Sequence, residues 1–229
     1  NTGGGGGGND SSTNPGSTNL GAAGGSGVAI ISYANTTQKG SGGYVFNNGA
    51  NTTGSIYVNS GSGYLMLTGT PLPATQSNFT IECWVYMMGT PTTYTNNLSG
   101  MMGDLDNSAG YGSWSFGVMN TGYLSFYWVA GSLSSITANT TQLQQNTWYH
   151  IAAVSINNNL NMFVNGISQT LSSSAISNRQ QTVGTFSVGS YKSGTAGFIG
   201  RISNLRILSG TSLYTGSSFT PPTAALTSI

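Results

Sequence analysis

The stretch FIGRISNLRILSGTSLYTGSSFTPP, residues 198–222, decides how the chain is read. Apolar or small side chains take every second position through Phe198, Gly200 and Ile202; the phase then slips across Ser203-Asn204 and resumes at Leu205 and Ile207. Successive side chains of a strand point to opposite faces, so an alternation broken by one residue describes a strand with a bulge. The inserted residue is what lets Ile202 and Leu205 reach the same core. The tail that follows carries Leu213-Tyr214, Phe219 and Pro221-Pro222.

The upstream segments keep the period of two. SIYVNSGSGYLMLT, residues 55–68, reads as two strands around Asn59 to Gly63, and Pro71 and Pro73 then mark a loop because neither can donate to a ladder. In FTIECWVYM, Phe79, Ile81, Cys83 and Val85 share one face and Thr80, Glu82, Trp84 and Tyr86 the other. Gly89 to Gly112 reads as a long irregular loop, a length at which loops are often functional. Trp114, Phe116 and Val118, then Leu124, Phe126 and Trp128, alternate inward on either side of a turn at Asn120 to Gly122, which is a hairpin. After a polar stretch, Trp148, His150, Ala152 and Val154 share one strand face, Asn157 to Asn159 turn, and Asn165-Gly166 marks a tight turn between Val164 and Ile167. Phe186 and Val188 precede the closing strand. No segment holds a helical period, so the expected fold is all-β, a two-sheet antiparallel sandwich with turn signals at regular intervals.

Several of these motifs carry a family resemblance. "GSGYLML", "FTIECW", "WYHIAAV" followed by "FVNG", and the closing "ISNLRI", taken in order from about Tyr57 to Pro222, resemble laminin-G-like (concanavalin A-like) jelly-roll domains. Many relatives carry an acidic residue after the isoleucine of the closing strand; here Ser203 stands there. The ending "SNLRI…GT…LYT…FTPPT" is similar to the variant found in phage and other virion appendage proteins, and "GGSG" followed by the β-branched run at Val28 to Tyr33 resembles phage tail-fibre and capsid-fibre segments. The resemblance implies a structural and attachment module, in a virion or extracellular setting, whose partners are other copies of itself, other virion structural proteins and host cell-surface polysaccharide. A bacterial extracellular lectin-like module or adhesin is the alternative.

The organisation expected is a Gly-rich arm over residues 1–42, with one short strand at 28–33, and a sandwich over residues 43–229. Residues 1–27 are low complexity, and their glycines pay the largest backbone entropy on ordering, so contacts with a neighbouring copy would be needed to hold them. At 229 residues the chain can hold one substantial core, burying roughly 70% of the unfolded surface.

Composition narrows the function classes. Charged residues make up 4% of the chain, five Lys+Arg against four Asp+Glu for a net charge of +1, so there is no electrostatic footprint for nucleic acid. No apolar run reaches the length of a transmembrane helix, so membrane insertion is not expected. The lone Cys83 rules out an intrachain disulfide and sits among apolar neighbours as a buried structural thiol.

Catalysis and metal binding find little support. Glycoside hydrolysis needs two facing carboxylates, and the chain has a single glutamate, Glu82, whose alternate neighbours are Thr80, Trp84 and Tyr86. Pairing Glu82 with Asp104 or Asp106 is the remaining arithmetic possibility. His150, the only histidine, is expected in the core with its hydrogen bonds satisfied, and no Ser-His-Asp pattern accompanies it. Asp104, Asp106 and Asn107 offer hard oxygens that calcium accepts, without the spacing of a helix-loop-helix calcium site, so a solvated turn is expected and no cofactor. One Cys and one His cannot make a zinc site. The remaining signal is aromatic: the pairs Trp84/Tyr86 and Tyr123/Tyr127 face away from the inward residues, where they either stack on sugars or cover the sheet.

Overall fold

The computed structural model describes residues 44–46, 55–59, 64–90, 100–104, 114–180, 185–190 and 197–226, all within the unit Asn35–Ile229. The Gly-rich arm and its strand at 28–33 lie outside the described residues. Among the described residues, thirteen strands follow in chain order: β1 (Tyr44–Phe46), β2 (Ile56–Asn59), β3 (Leu65–Thr68), β4 (Phe79–Met87), β5 (Gly100–Gly103), β6 (Trp114–Val118), β7 (Leu124–Val129), β8 (Leu133–Thr137), β9 (Trp148–Ile156), β10 (Asn159–Val164), β11 (Ile167–Ser168), β12 (Thr185–Val188) and β13 (Ile199–Ser209). They form two antiparallel sheets, and no helix occurs among the described residues. The larger sheet runs β1-β13-β4-β9-β10-β11 with β2 also on β13; the smaller runs β3-β12-β5-β6-β7-β8.

The alternation read from the sequence fills the space between the sheets. Phe79, Ile81, Cys83 and Val85 of β4 meet Trp114, Phe116, Leu124 and Phe126 of the smaller sheet in one buried cluster. Phe126 stacks on Phe79 at 5.7 Å between ring centroids and on Trp114 at 6.3 Å. Cys83 is fully buried, and burial, with Glu82's charge beside it, pushes its thiol far above the ordinary range. The Asn165-Gly166 turn takes positive φ at both residues, 49° and 77°, which matches the right-handed twist of the flanking strands and closes Val164 onto Ile167.

The bulge in β13 governs the larger sheet. Ser203 pairs with Trp84 and Arg206 with Glu82, so three residues of β13 advance where β4 advances two, and Asn204 takes a positive φ of 48°. Ile202 and Leu205 both end in the core, at 1% and 2% exposure. The same slip has a second effect: Arg201 and Arg206, five apart, both project from the outer face. At Gly200 a Cβ would strike the carbonyl oxygen of Tyr86, so the close approach of β13 to β4 requires glycine there.

Two expectations are corrected. The Gly89 to Gly112 stretch is not a continuous irregular loop: GMMG inside it forms β5, whose residues are all buried. Two glycines and two methionines give no β-propensity signal, so packing makes this strand. The polar stretch after Trp128 holds edge strand β8, where only Ile136 is buried and the remaining positions are Leu, Ser and Thr. The two strands read on either side of Asn59 to Gly63 are β2 and β3, and they belong to different sheets, β2 to the larger and β3 to the smaller.

Candidate functional site

The outer face of the larger sheet divides into a covered half and an open half. In the covered half, Thr80 and Glu82 of β4, Arg206 of β13, His150, Ala152 and Val154 of β9 and Phe163 of β10 are all buried although they face away from the main core. The tail from Thr211 onward covers them. Thr80 Oγ1 donates to Thr211 O at 3.0 Å and accepts from Leu213 N at 3.0 Å, and Ser212 Oγ donates to Ser155 O. Tyr214 and Phe219 stack on each other at 3.5 Å and meet Phe163 edge-on at 6.3 and 5.2 Å. The clasp closes at Gly166, where Phe219 N donates to Gly166 O at 2.9 Å; a Cβ on Gly166 would collide with the Phe219 carbonyl. Further on, the Trp84 indole N–H donates to Pro222 O at 3.1 Å.

Beneath the clasp lies a buried polar network. Glu82 Oε1 accepts from Arg206 Nε at 2.7 Å and Nη2 at 2.5 Å, while Oε2 accepts from Tyr214 Oη at 2.8 Å and faces His150 Nε2 at 3.1 Å. His150 Nδ1 is buried and has no hydrogen-bond partner among the described residues, so the expected satisfaction of this histidine is half met. Burial pushes the Glu82 carboxyl up, but the hydrogen bond with His150, the Arg206 charge and the Tyr214 hydroxyl together outweigh it and hold the group below its ordinary value. Burial and Glu82's charge push the Tyr214 hydroxyl up.

Catalytic pairing of Glu82 with Asp104 is not what the fold builds. Glu82 faces outward from the larger sheet, whereas Asp104 follows β5 of the smaller one and accepts from Trp114 N at 2.9 Å. Asp106 and Asn107 lie outside the described residues, and no group of three or more potential metal ligands occurs among those described. Arg179, near Asp104, instead fastens the Pro71 to Pro73 loop, donating to Leu72 O at 3.1 Å, Pro73 O at 2.5 Å and Gln76 O at 3.2 Å.

The open half is a single row across four strands. Tyr57 of β2 pairs with Arg201 of β13, Arg201 with Tyr86 of β4, and Tyr86 with Trp148 of β9. Tyr57 is 50% exposed and Trp148 40% exposed. The Arg201 guanidinium lies over the Tyr57 ring, 5.7 Å from its centroid, and Tyr86 and Trp148 tilt together at 5.4 Å. Met88, also exposed, follows Tyr86, so three of the large apolar side chains left open on the described surface fall at this end of the sheet. At about 4.8 Å per strand, the row is roughly 14 Å long.

Of the aromatic pairs expected from the sequence, each is split. Tyr86 joins the open row, but Trp84 is half-buried and spent on the clasp. Tyr127 is only 2% exposed, its cross-strand neighbours being Ser115 and Ser135, and Tyr123 precedes β7 rather than standing in it. Alternation reports that a residue faces outward, not whether that face is covered. Tyr57, Arg201 and Trp148 were missed as partners of Tyr86 because their meeting depends on the register of four strands. One signal was present for Arg206: the post-bulge phase puts it outward, as is the chain's lone glutamate.

Replacing Phe219 with alanine tests whether the tail holds the sheet. A fully buried Phe→Ala change costs about 3–5 kcal/mol; Phe219 is half-buried, so about 2 kcal/mol is expected in denaturant unfolding. A change within about 0.5 kcal/mol would mean that the tail rests on the sheet without fastening it.

Comparison with known proteins places this geometry. The family model described as the concanavalin A-like lectin/glucanases superfamily matches residues 59–212, ending just before Leu213, so most of the clasp lies beyond the matched span. Among solved structures, the chain is similar to domain 4 of AbnA, an extracellular arabinanase of family GH43 from Geobacillus stearothermophilus, solved with arabinotriose. The TM-score is 0.51 at 15% identity, over 76% of this chain and 79% of that one. It is also similar to the receptor binding domain of botulinum neurotoxin D, with a TM-score of 0.52 at 12% identity, over 74% of this chain and 43% of that one. These likenesses concern the fold. No curated protein sequence matches the chain.

Proposed function

Because the chain belongs to the concanavalin A-like lectin/glucanases superfamily, we propose that it is a non-enzymatic attachment module that holds glycans on the open row of its larger sheet. The observation that carries this reading is the row itself: Tyr57, Arg201, Tyr86 and Trp148 lie side by side and are at least partly open to solvent. Aromatic faces stack on the apolar faces of sugar rings, and a sheet fixes their spacing without ordering cost at the moment of binding. Non-enzymatic action is supported by Glu82, whose two oxygens are taken by Arg206, His150 and Tyr214 beneath the clasp. The arabinanase domain was solved with a bound oligosaccharide and the toxin domain is named for receptor binding, which agrees with a binding role on this scaffold.

The setting we propose is a virion appendage, with the chain joined to its own copies or to other structural proteins through the Gly-rich stretch and presenting the sheet face to host glycans. The almost uncharged, Gly-, Ser-, Thr- and Asn-rich composition supports this, since contacts of such a surface depend little on salt. Glycan-array binding is the test. The wild-type chain is expected to bind and Trp148→Ala to lose about tenfold in affinity, with the thermal midpoint unchanged and no reducing sugar released. Unchanged binding by the Trp148→Ala, Tyr57→Ala double variant would remove the row from the function.

A further inference from the structure

Resting on that reading of the row, we infer that its ligand is a carboxylated glycan, a chain containing uronic acid, with Arg201 taking the carboxylate. Three arginines are described. Arg206 is spent on Glu82 and Arg179 on three carbonyls, whereas Arg201 is exposed with its guanidinium over the Tyr57 ring. The two carboxylates among the described residues are also engaged, Glu82 in the buried network and Asp104 at Trp114 N. Stacking on a ring uses the face of a guanidinium and leaves the N–H groups at its edge for a second partner. Those donors stand in the middle of the row, between Tyr57 and Tyr86.

A neutral sugar laid on the rings would leave this fork with water, while a carboxylate accepts two parallel, charge-assisted bonds from it. The surroundings favour a sparsely charged chain over a dense polyanion. Charged residues are 4% of the sequence, so one cation can select for one carboxylate but cannot supply the many contacts that densely charged polymers require. The aromatic neighbours then hold the sugar rings on either side of the charged one.

The experiment is calorimetric titration of the chain with oligomannuronate and with cello-oligosaccharide of matched length, both β-1,4-linked. Wild type is expected to bind the uronate about tenfold more tightly. Arg201→Gln is expected to erase that preference while binding of the neutral chain changes less than about twofold, and Trp148→Ala to weaken both. Equal affinity for the two sugars in the wild type, or an Arg201→Gln variant that loses both equally, overturns the assignment of the carboxylate to Arg201 and leaves the row as a neutral platform. Failure of the uronate to bind overturns this inference, and if the neutral chain and the glycan array are also blank, the proposed function goes with it.

Discussion

Deleting Leu205 is expected to destabilise the protein severely, whereas deleting Asn204 is not. The bulge sets Asn204 and Leu205 of β13 together between the Ser203–Trp84 and Arg206–Glu82 pairs, opposite Cys83 alone, so removing either residue restores a regular register in which Ile202 and Ile207 stay in the core and Arg201 and Arg206 face out. What differs is the residue left facing Cys83. With Leu205 gone that residue is Asn204: the core loses a leucine, about 2–5 kcal/mol as for a Leu→Ala change, and gains an amide without partners, about 1–3 kcal/mol more. Since a domain of this size is stable by only about 5–15 kcal/mol, the sum removes a large part of it. With Asn204 gone Leu205 keeps its place, and the loss should stay within about 2 kcal/mol. Equal losses for the two deletions would show that the bulge itself, and not the residue facing the core, holds the sheet.

Removing the carboxylate of Glu82 is expected to have the next largest effect. Glu82→Ala leaves Arg206 buried without its counter-charge and takes an acceptor from Tyr214 and His150, a loss of about 3–5 kcal/mol. Replacing both members, Glu82→Met with Arg206→Met, should recover much of that loss, since two apolar side chains need no compensation in this covered layer. The same network makes stability depend on pH. Glu82's carboxyl is held below its ordinary value of 4.5, so its contribution is complete above that pH and is lost as pH falls through the lower folded-state value. Thermal midpoints should therefore drop on acidification below about pH 4.5, and Glu82→Gln should flatten part of that slope. An acid limb identical in wild type and Glu82→Gln would place the pH sensitivity in other groups.

The open row and the buried network sit side by side on one sheet face, and the tail separates them. Its end at Pro222 reaches Trp84, the residue that touches His150 on one side and precedes the row's Tyr86 on the other. Without the clasp, Phe163, Ala152 and Val154 would be an open apolar patch on the same sheet face as the row, inviting simple hydrophobic association.

The alternation of side chains, a local property of extended backbone, was legible without coordinates. It gave the all-β class, the inward residues of β4, β6 and β7, the Asn165-Gly166 turn and the bulge at Ser203-Asn204, but on β9 the face of His150, Ala152 and Val154 proved to be the outer one, buried by the tail, while Ile151 and Ala153 point inward. Strands made by packing alone, β5 with its GMMG and β8 with its hydroxyl-rich edge, left no such trace. Periodicity assigns a residue to one of two faces, but it carries no information on which strands are neighbours, how they slide against one another, or what lies over the sheet. Those are set by contacts between residues far apart in the chain, and they are what joined Arg206 to Glu82, drew Trp84 under the tail and left Tyr57, Arg201, Tyr86 and Trp148 abreast in the open.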